Sequence, residues 1–106
     1  METASSIEQH PGCINATLKI IGEKWTALIL KELTTGAKTF SEVETLLGSI
    51  SPRTLSQRLD KLEQEAIVIK RAYCQHPPRY TYELTNKGHE LESVLRKMAD
   101  WGAKYS

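Results

Sequence analysis

FSEVETLLGSISPRTLSQRLDK, residues Phe40 to Lys61, reads as two short helices separated by a tight break. Ser41 can cap the first helix, and Glu44 follows three residues on, at capping-box spacing. Val43, Leu46 and Leu47 give that helix an apolar stripe, and Gly48 ends it. Ser51 can cap the second helix, with Pro52 in the first turn, where a missing N–H costs nothing. Leu55, Leu59 and Leu62 then recur at helical spacing and are predicted to point inward. Arg53, Thr54, Gln57, Arg58 and Lys61 fall on the other side. Their side chains are donors suited to phosphate or a base edge, and none is acidic. A helix-turn-helix whose second helix, here 51–65, enters the major groove of duplex DNA has this pattern.

The flanking sequence extends the architecture. Upstream, Ile14, Leu18 and Ile21 mark a short helix closed by Gly22. Trp25, Leu28, Ile29 and Leu33 mark a second, ending near Gly36, and Lys38–Phe40 reads as a very short strand. Downstream, Ile67 to Cys74 is rich in β-branched residues, and Gln75-His76-Pro77-Pro78-Arg79 forms a turn. Tyr80 to Leu84 then alternates as a strand does. The two strands make a hairpin, the wing, with its tip at 74–80. Pro77 and Pro78 stiffen that tip and remove two backbone donors from edge pairing. Thr85 to Ser106 is amphipathic, with Leu91, Val94, Leu95, Met98, Trp101 and Tyr105 at the 3.6-residue period and a helix over 86–105. The expected fold class is mainly α with a small β-hairpin (α+β). It is a winged helix-turn-helix with added N- and C-terminal dimerisation helices. Residues 1–12 read as a flexible lead, and 13–106 as one DNA-binding domain without internal repeats.

A winged-helix core is already covered by its own three helices and hairpin. A further helix with this much apolar surface calls for a partner, and two-fold dimers are the commonest oligomers. Two recognition helices would then lie about 34–36 Å apart, matching an inverted repeat with half-sites one DNA turn apart. The alternative is that the last helix only covers the first two helices of its own chain. Trp25 and Trp101, at helical spacing, are expected in the core, with an effector pocket beneath the last helix as the other option.

Bulk properties fit this outline. A chain of 106 residues with 40% hydrophobic and 25% charged residues is an ordinary single domain. No apolar run approaches the ~18 residues of a membrane span. The polar start METASSIEQHPG is not a secretory signal, and two cysteines without one point to the reducing cytoplasm. Net charge is only +1, but it is unevenly spread. Residues 1–50 carry four Lys and six Glu. Residues 51–80 carry Arg53, Arg58, Lys61, Lys70, Arg71 and Arg79 against Asp60, Glu63 and Glu65. A basic segment centred on the second helix is the electrostatic footprint of a DNA contact.

Each candidate residue has a chemical role on DNA. The hydroxyls of Ser51 and Thr54, with open N–H groups at the helix start, suit a backbone phosphate. Arg53, Gln57 and Arg58 have the reach for base edges, Arg matching guanine and Gln adenine. Lys61 lies further along and suits a phosphate. Arg79, helped by His76, can enter an A·T-rich minor groove from the wing. Some of these cations can instead form ordinary intramolecular pairs. Enzymatic readings find no support: there is no Gly-rich phosphate loop, and no Ser–His–Asp set is evident. His10, His76, His89 and the two Cys lack zinc-site spacing, so no cofactor or metal is expected. The rival class is a winged-helix protein-interaction module without specific DNA binding.

The chain resembles the HxlR family of bacterial and archaeal winged-helix regulators. The resemblance rests on Leu18-Lys19-Ile20-Ile21-Gly22 with Lys24-Trp25, on Phe40-Ser41-Glu42, and above all on Ile50-Ser51-Pro52-Arg53-Thr54-Leu55-Ser56-Gln57-Arg58-Leu59. Pro77-Pro78-Arg79-Tyr80, Tyr82-Glu83-Leu84-Thr85, Gly88, Leu91, Val94-Leu95, Met98 and Trp101-Gly102 continue it. It implies a dimeric DNA-binding transcription factor with dimer contacts from the first and last helices. Several members sense electrophiles or oxidants through a cysteine near the N-terminus, and Cys13 matches that position. From the residues alone, Cys13 sits just before a helix, where the positive dipole end favours a thiolate. It can equally be a small apolar side chain in the dimer contact, and a Cys13–Cys74 bridge stays open. Cys74 itself reads as structural. The chain departs from the family pattern at Ile14 after the cysteine, at Gly48-Ser49 before Ile50, at Ala66 where Gly is usual, and at Ser93 where Pro is common. If position 66 needs a positive φ, Ala costs on the order of 1 kcal/mol against Gly there.

Overall fold

The computed structural model describes residues 11–106, with side chains from residue 14 onward. Five helices and one hairpin follow in chain order among the described residues: α1 (Pro11–Ile21), α2 (Thr26–Leu33), α3 (Phe40–Leu47), α4 (Pro52–Gln64), β1 (Val68–Gln75), β2 (Pro78–Leu84) and α5 (Asn86–Tyr105). The order is that of a winged helix-turn-helix carrying an extra helix at each end. Of the lead expected over residues 1–12, the part up to His10 lies outside the described residues, and Pro11 and Gly12 already belong to α1.

The core gathers one stripe from each element. Ile29, Leu30 and Leu33 of α2, Val43 of α3, Leu55, Leu59 and Leu62 of α4, and Ile67, Val68, Tyr82 and Leu84 around the hairpin are all buried. Ile20, Trp25, Phe40, Leu47, Leu91 and Leu95 pack against this cluster. The apolar stripe expected on α3 is narrower than the sequence implied. Val43 is buried and Leu47 packs on the core, but Leu46 is exposed.

The cap of α3 lies two residues earlier than Ser41. Thr39, in an extended conformation, accepts from Glu42 N–H at 3.1 Å and donates its own N–H to Glu42 Oε1 at 2.8 Å. Both Thr39/Glu42 and Ser41/Glu44 have capping-box spacing. The tertiary fold selects the first pair. Lys38 exchanges two backbone hydrogen bonds with Tyr82, at 2.9 and 2.7 Å, and the chain turns into helix directly after it. The short strand expected over Lys38–Phe40 is therefore one bridge residue, a cap and the first residue of α3. Gly48 closes α3 at φ +75, as its position predicted.

β1 and β2 pair antiparallel from Val68↔Leu84 to Gln75↔Pro78, with His76 and Pro77 between them. The register shifts between Ala72 and Cys74, which leaves Tyr73 as a bulge on the exposed strand. Ala66, between α4 and β1, adopts φ +59. The chain thus has a left-handed turn at a residue with a Cβ, the situation foreseen for this position.

The start of α5 seals that turn. Thr85 caps α5 by accepting from Gly88 N–H at 3.1 Å, and its hydroxyl faces Ala66 O at 2.6 Å and Ile67 O at 3.1 Å. Lys87 Nζ donates to Glu65 O at 2.6 Å. Carbonyls at the end of α4 and just beyond it, which a helix end leaves without intrahelical donors, are satisfied from α5. Gly88 is buried, and a Cβ there would lie 2.1 Å from Ile67 O, so only Gly permits this approach.

Candidate nucleic-acid interface

α4 is set by its first turn and by its leucines. Ser51 Oγ accepts from Thr54 N–H at 3.1 Å and donates to Thr54 Oγ1 at 2.9 Å. The Ser51 hydroxyl proton is therefore engaged in the cap, whereas that of Thr54 is not used in it. Residues on a helix advance by about 100° each. Measured from the stripe of Leu55, Leu59 and Leu62, Arg53 and Gln57 lie opposite, and both are exposed. Asp60 and Gln64 share that outer face and are exposed too. The free face thus carries an acidic residue towards its C-terminal end, and its donor-rich part is the first two turns.

Arg58 and Lys61 do not sit as the sequence implied. Arg58 follows Leu55 by three residues, which puts it about 60° from the buried stripe, on the flank of α4. Its Nη2 lies 3.0 Å from Glu23 Oε2, and Lys61 Nζ lies 3.7 Å from Glu23 Oε1. The Arg58 side chain is 26% exposed against 42% for Lys61. Arg58 Nε is buried without a hydrogen-bond partner. Of the cations predicted on the reading face of α4, Arg53 alone points freely outward.

The wing presents its tip and uses other cations internally. His76 and Arg79 are exposed at or beside the turn. Arg71 pairs with Glu83 across the hairpin. Lys70 Nζ stands 4.5 Å from the ring centroid of Tyr80 and 5.8 Å from that of Tyr82, a cation–π arrangement. These pairs join the two strands, and Arg79 is the cation at the tip.

At the start of α3, the hydrogen bond to Glu42 from the Thr39 backbone holds the Glu42 carboxyl below its ordinary range. The Thr39 side chain lowers it further, desolvation opposes this in part, and Lys38 adds a last lowering effect. Glu42 is thus anionic at the positive end of α3, where it fixes the helix that supports α4.

α5 divides into two faces. Leu91 and Leu95 pack on the core, while Val94, Met98, Trp101 and Tyr105 form an outward stripe. Trp101 is 68% exposed, so the expectation that both tryptophans are core holds for Trp25 and fails for Trp101. The Trp101 and Tyr105 rings are in contact, tilted by 43° with centroids 5.2 Å apart. Ile14 and Leu18 of α1 and Leu28 of α2 are exposed as well. Between α2 and α5 runs an open groove of about 590 Å³, lined by Leu28, Lys31, Leu95 and Arg96 among others. Among the described residues no cluster of His, Cys, Asp or Glu is built to hold a metal, and no helix is long and apolar enough to cross a membrane.

Cys13 is the third residue of α1, within its first turn rather than before it; its side chain lies outside the described residues. Cys74 is a free thiol, half-buried in β1 opposite Arg79. Sequence reasoning missed Glu23, Thr85 and Lys87. Arg58 at the edge of a leucine stripe was the available signal for an intramolecular partner. Nothing local pointed to Glu23 as that partner.

Comparison with known proteins agrees with this geometry. A family model described as HxlR-like helix-turn-helix matches residues 20–106. The HTH-type transcriptional regulator YdeP of Bacillus subtilis is 40% identical over 101 residues, covering 94% of this chain and 79% of YdeP. The reduced form of the transcriptional regulator YodB from B. subtilis superposes with a TM-score of 0.78 at 32% identity, over 86% of this chain and 89% of that one. The redox regulator HypR in its oxidised form superposes with a TM-score of 0.78 at 34% identity, over 88% and 96%. With the match spanning both the helix-turn-helix and the wing, the chain belongs to the HxlR-like helix-turn-helix family.

Proposed function

We propose that the protein is a DNA-binding transcriptional regulator that acts as a dimer on an inverted repeat. The carrying observation is the exposed Arg53 and Gln57 pair on the first turns of α4, on a fold that also exposes Arg79 and His76 at the wing. Arg53 and Gln57 read base edges in the major groove. Thr54 meets a phosphate, and Arg79, with His76, follows the minor groove. The unit spans residues 13–106 and works in the cytoplasm as a binding protein, not an enzyme. The outward stripe of Val94, Met98, Trp101 and Tyr105 supports the dimer, since a contiguous apolar face of this kind is costly in water. Cys13 in the first turn of α1 is the candidate sensor of oxidants or electrophiles, a reading supported by the likeness to the redox regulator HypR.

The test is selection of bound fragments of the source genome by the purified dimer, with and without diamide. Enrichment of a short inverted repeat, lost in an Arg53→Ala/Gln57→Ala variant, is the expected result. Loss of that binding on oxidation, absent in Cys13→Ser, assigns the sensor. Absence of any enriched sequence at moderate salt overturns the regulator reading in favour of a protein-interaction module.

A further inference from the structure

The Glu23 carboxylate faces two cations of α4 at once. One oxygen takes Arg58 Nη2 at 3.0 Å, and the other approaches Lys61 Nζ at 3.7 Å. Two oxygens that split an Arg and a Lys imitate what a DNA phosphate offers the same side chains. We propose that Glu23 is an internal phosphate mimic that withholds Arg58 and Lys61 from DNA and so sets the affinity of the recognition helix. This inference rests on the DNA-binding reading above and adds a positioning residue to it.

Three features support the assignment. Arg58 is held along its length: its Nε is buried without a partner, so the guanidinium is oriented by packing at one end and by Glu23 at the other. Arg58 and Lys61 are three residues apart, so they share one flank of α4 and can be neutralised together. Glu23 is fixed by position. It follows Gly22, whose N–H closes α1 on Leu18 O at 2.8 Å, and a Cβ at Gly22 would stand 2.7 Å from that same oxygen. On its other side, Glu23 O accepts from Thr26 N–H at 3.3 Å, so the residue is held between the end of α1 and the start of α2.

The salt dependence of DNA binding reads this directly, because each cation–phosphate contact adds about 0.9 to the slope of log K against log salt. The probe is a mixed-sequence duplex about three helical turns long. The dimer carries two copies of each cation, so in Glu23→Gln the slope is expected to steepen by about 2 to 4, an extra loss of roughly ten- to a hundredfold in affinity between 50 and 200 mM salt. Glu90→Gln, which removes one exposed carboxylate on α5, controls for net charge and should leave the slope as it is. Lys61→Met should hardly change the slope of the otherwise unaltered protein, yet should lower that of Glu23→Gln by about 1.8, one contact from each protomer. An unchanged slope in Glu23→Gln, while the unaltered protein binds normally, overturns the mimic and leaves the DNA-binding reading intact. A drop of about 1.8 for Lys61→Met alone overturns it without any change at Glu23. Failure of the unaltered protein to bind the duplex at low salt removes both.

Discussion

The hydroxyl of Thr85 lies 2.6 Å from the carbonyl oxygen of Ala66, nineteen residues away. The contact ties the first turn of α5 to the end of α4. Thr85, Lys87 and Gly88 together close the recognition helix with the same segment that opens the candidate dimerisation helix. The end of α4 and the start of α5 are thus joined directly through backbone carbonyls.

Gly88→Ala should destabilise the domain by about 1–3 kcal/mol, because the new methyl must displace the backbone at Ile67 O, 2.1 Å away. Chemical denaturation followed by circular dichroism measures it. A variant as stable as the parent would show that the α5 start is not pressed against the Ile67 backbone.

Ala66→Gly should do the reverse. At φ +59 a Cβ is strained, and glycine relieves that strain at the expense of a more flexible unfolded chain. A gain of up to about 1 kcal/mol is expected in the same denaturation experiment. A loss would mean that the methyl makes packing contacts worth more than the strain.

Much of this was legible beforehand. Ser51, Pro52 and the Leu55/Leu59/Leu62 stripe are local signals, and they place α4 within a residue of its observed bounds. Gly48 and the periodic run over 86–105 worked in the same way. What was not legible depends on long-range geometry. Thr39 and Ser41 offer equal capping boxes, and the pairing of Lys38 with Tyr82 breaks the tie. Arg58 looks like a DNA-facing donor until Glu23, far back in the chain, is folded against it. Trp101 has core periodicity within its helix, yet α5 runs past the core and leaves the ring exposed.

The capping box makes a pH prediction. The Glu42 carboxyl is held below its ordinary value of 4.5 in the folded protein. Its contribution is therefore fully present above that value and is lost as pH falls through the depressed folded value. Glu42→Gln should melt at a lower temperature than the parent near neutral pH, and the gap should close on acidification. A gap that stays constant with pH would assign the loss to side-chain shape, not charge. Thr39→Ala, which removes the other half of the box, should cost about 1 kcal/mol.

The α5 stripe predicts the oligomeric state. Trp101→Ala with Met98→Ala removes two of the exposed apolar groups of α5 without touching Leu91 or Leu95. Sedimentation velocity should then show a monomer at concentrations where the parent is a dimer, with helix content retained. A double variant that still dimerises would place the contact on other surfaces.

The most direct measurement is equilibrium binding of the parent and of Arg53→Ala/Gln57→Ala to the selected inverted repeat and to a scrambled duplex. With base reading by the first two turns of α4, each lost bidentate contact removes about 1–3 kcal/mol of discrimination. The double variant should therefore bind both duplexes with similar affinity, near the parent's affinity for the scrambled one. If it keeps the parent's preference for the repeat, α4 does not read the sequence and the account fails.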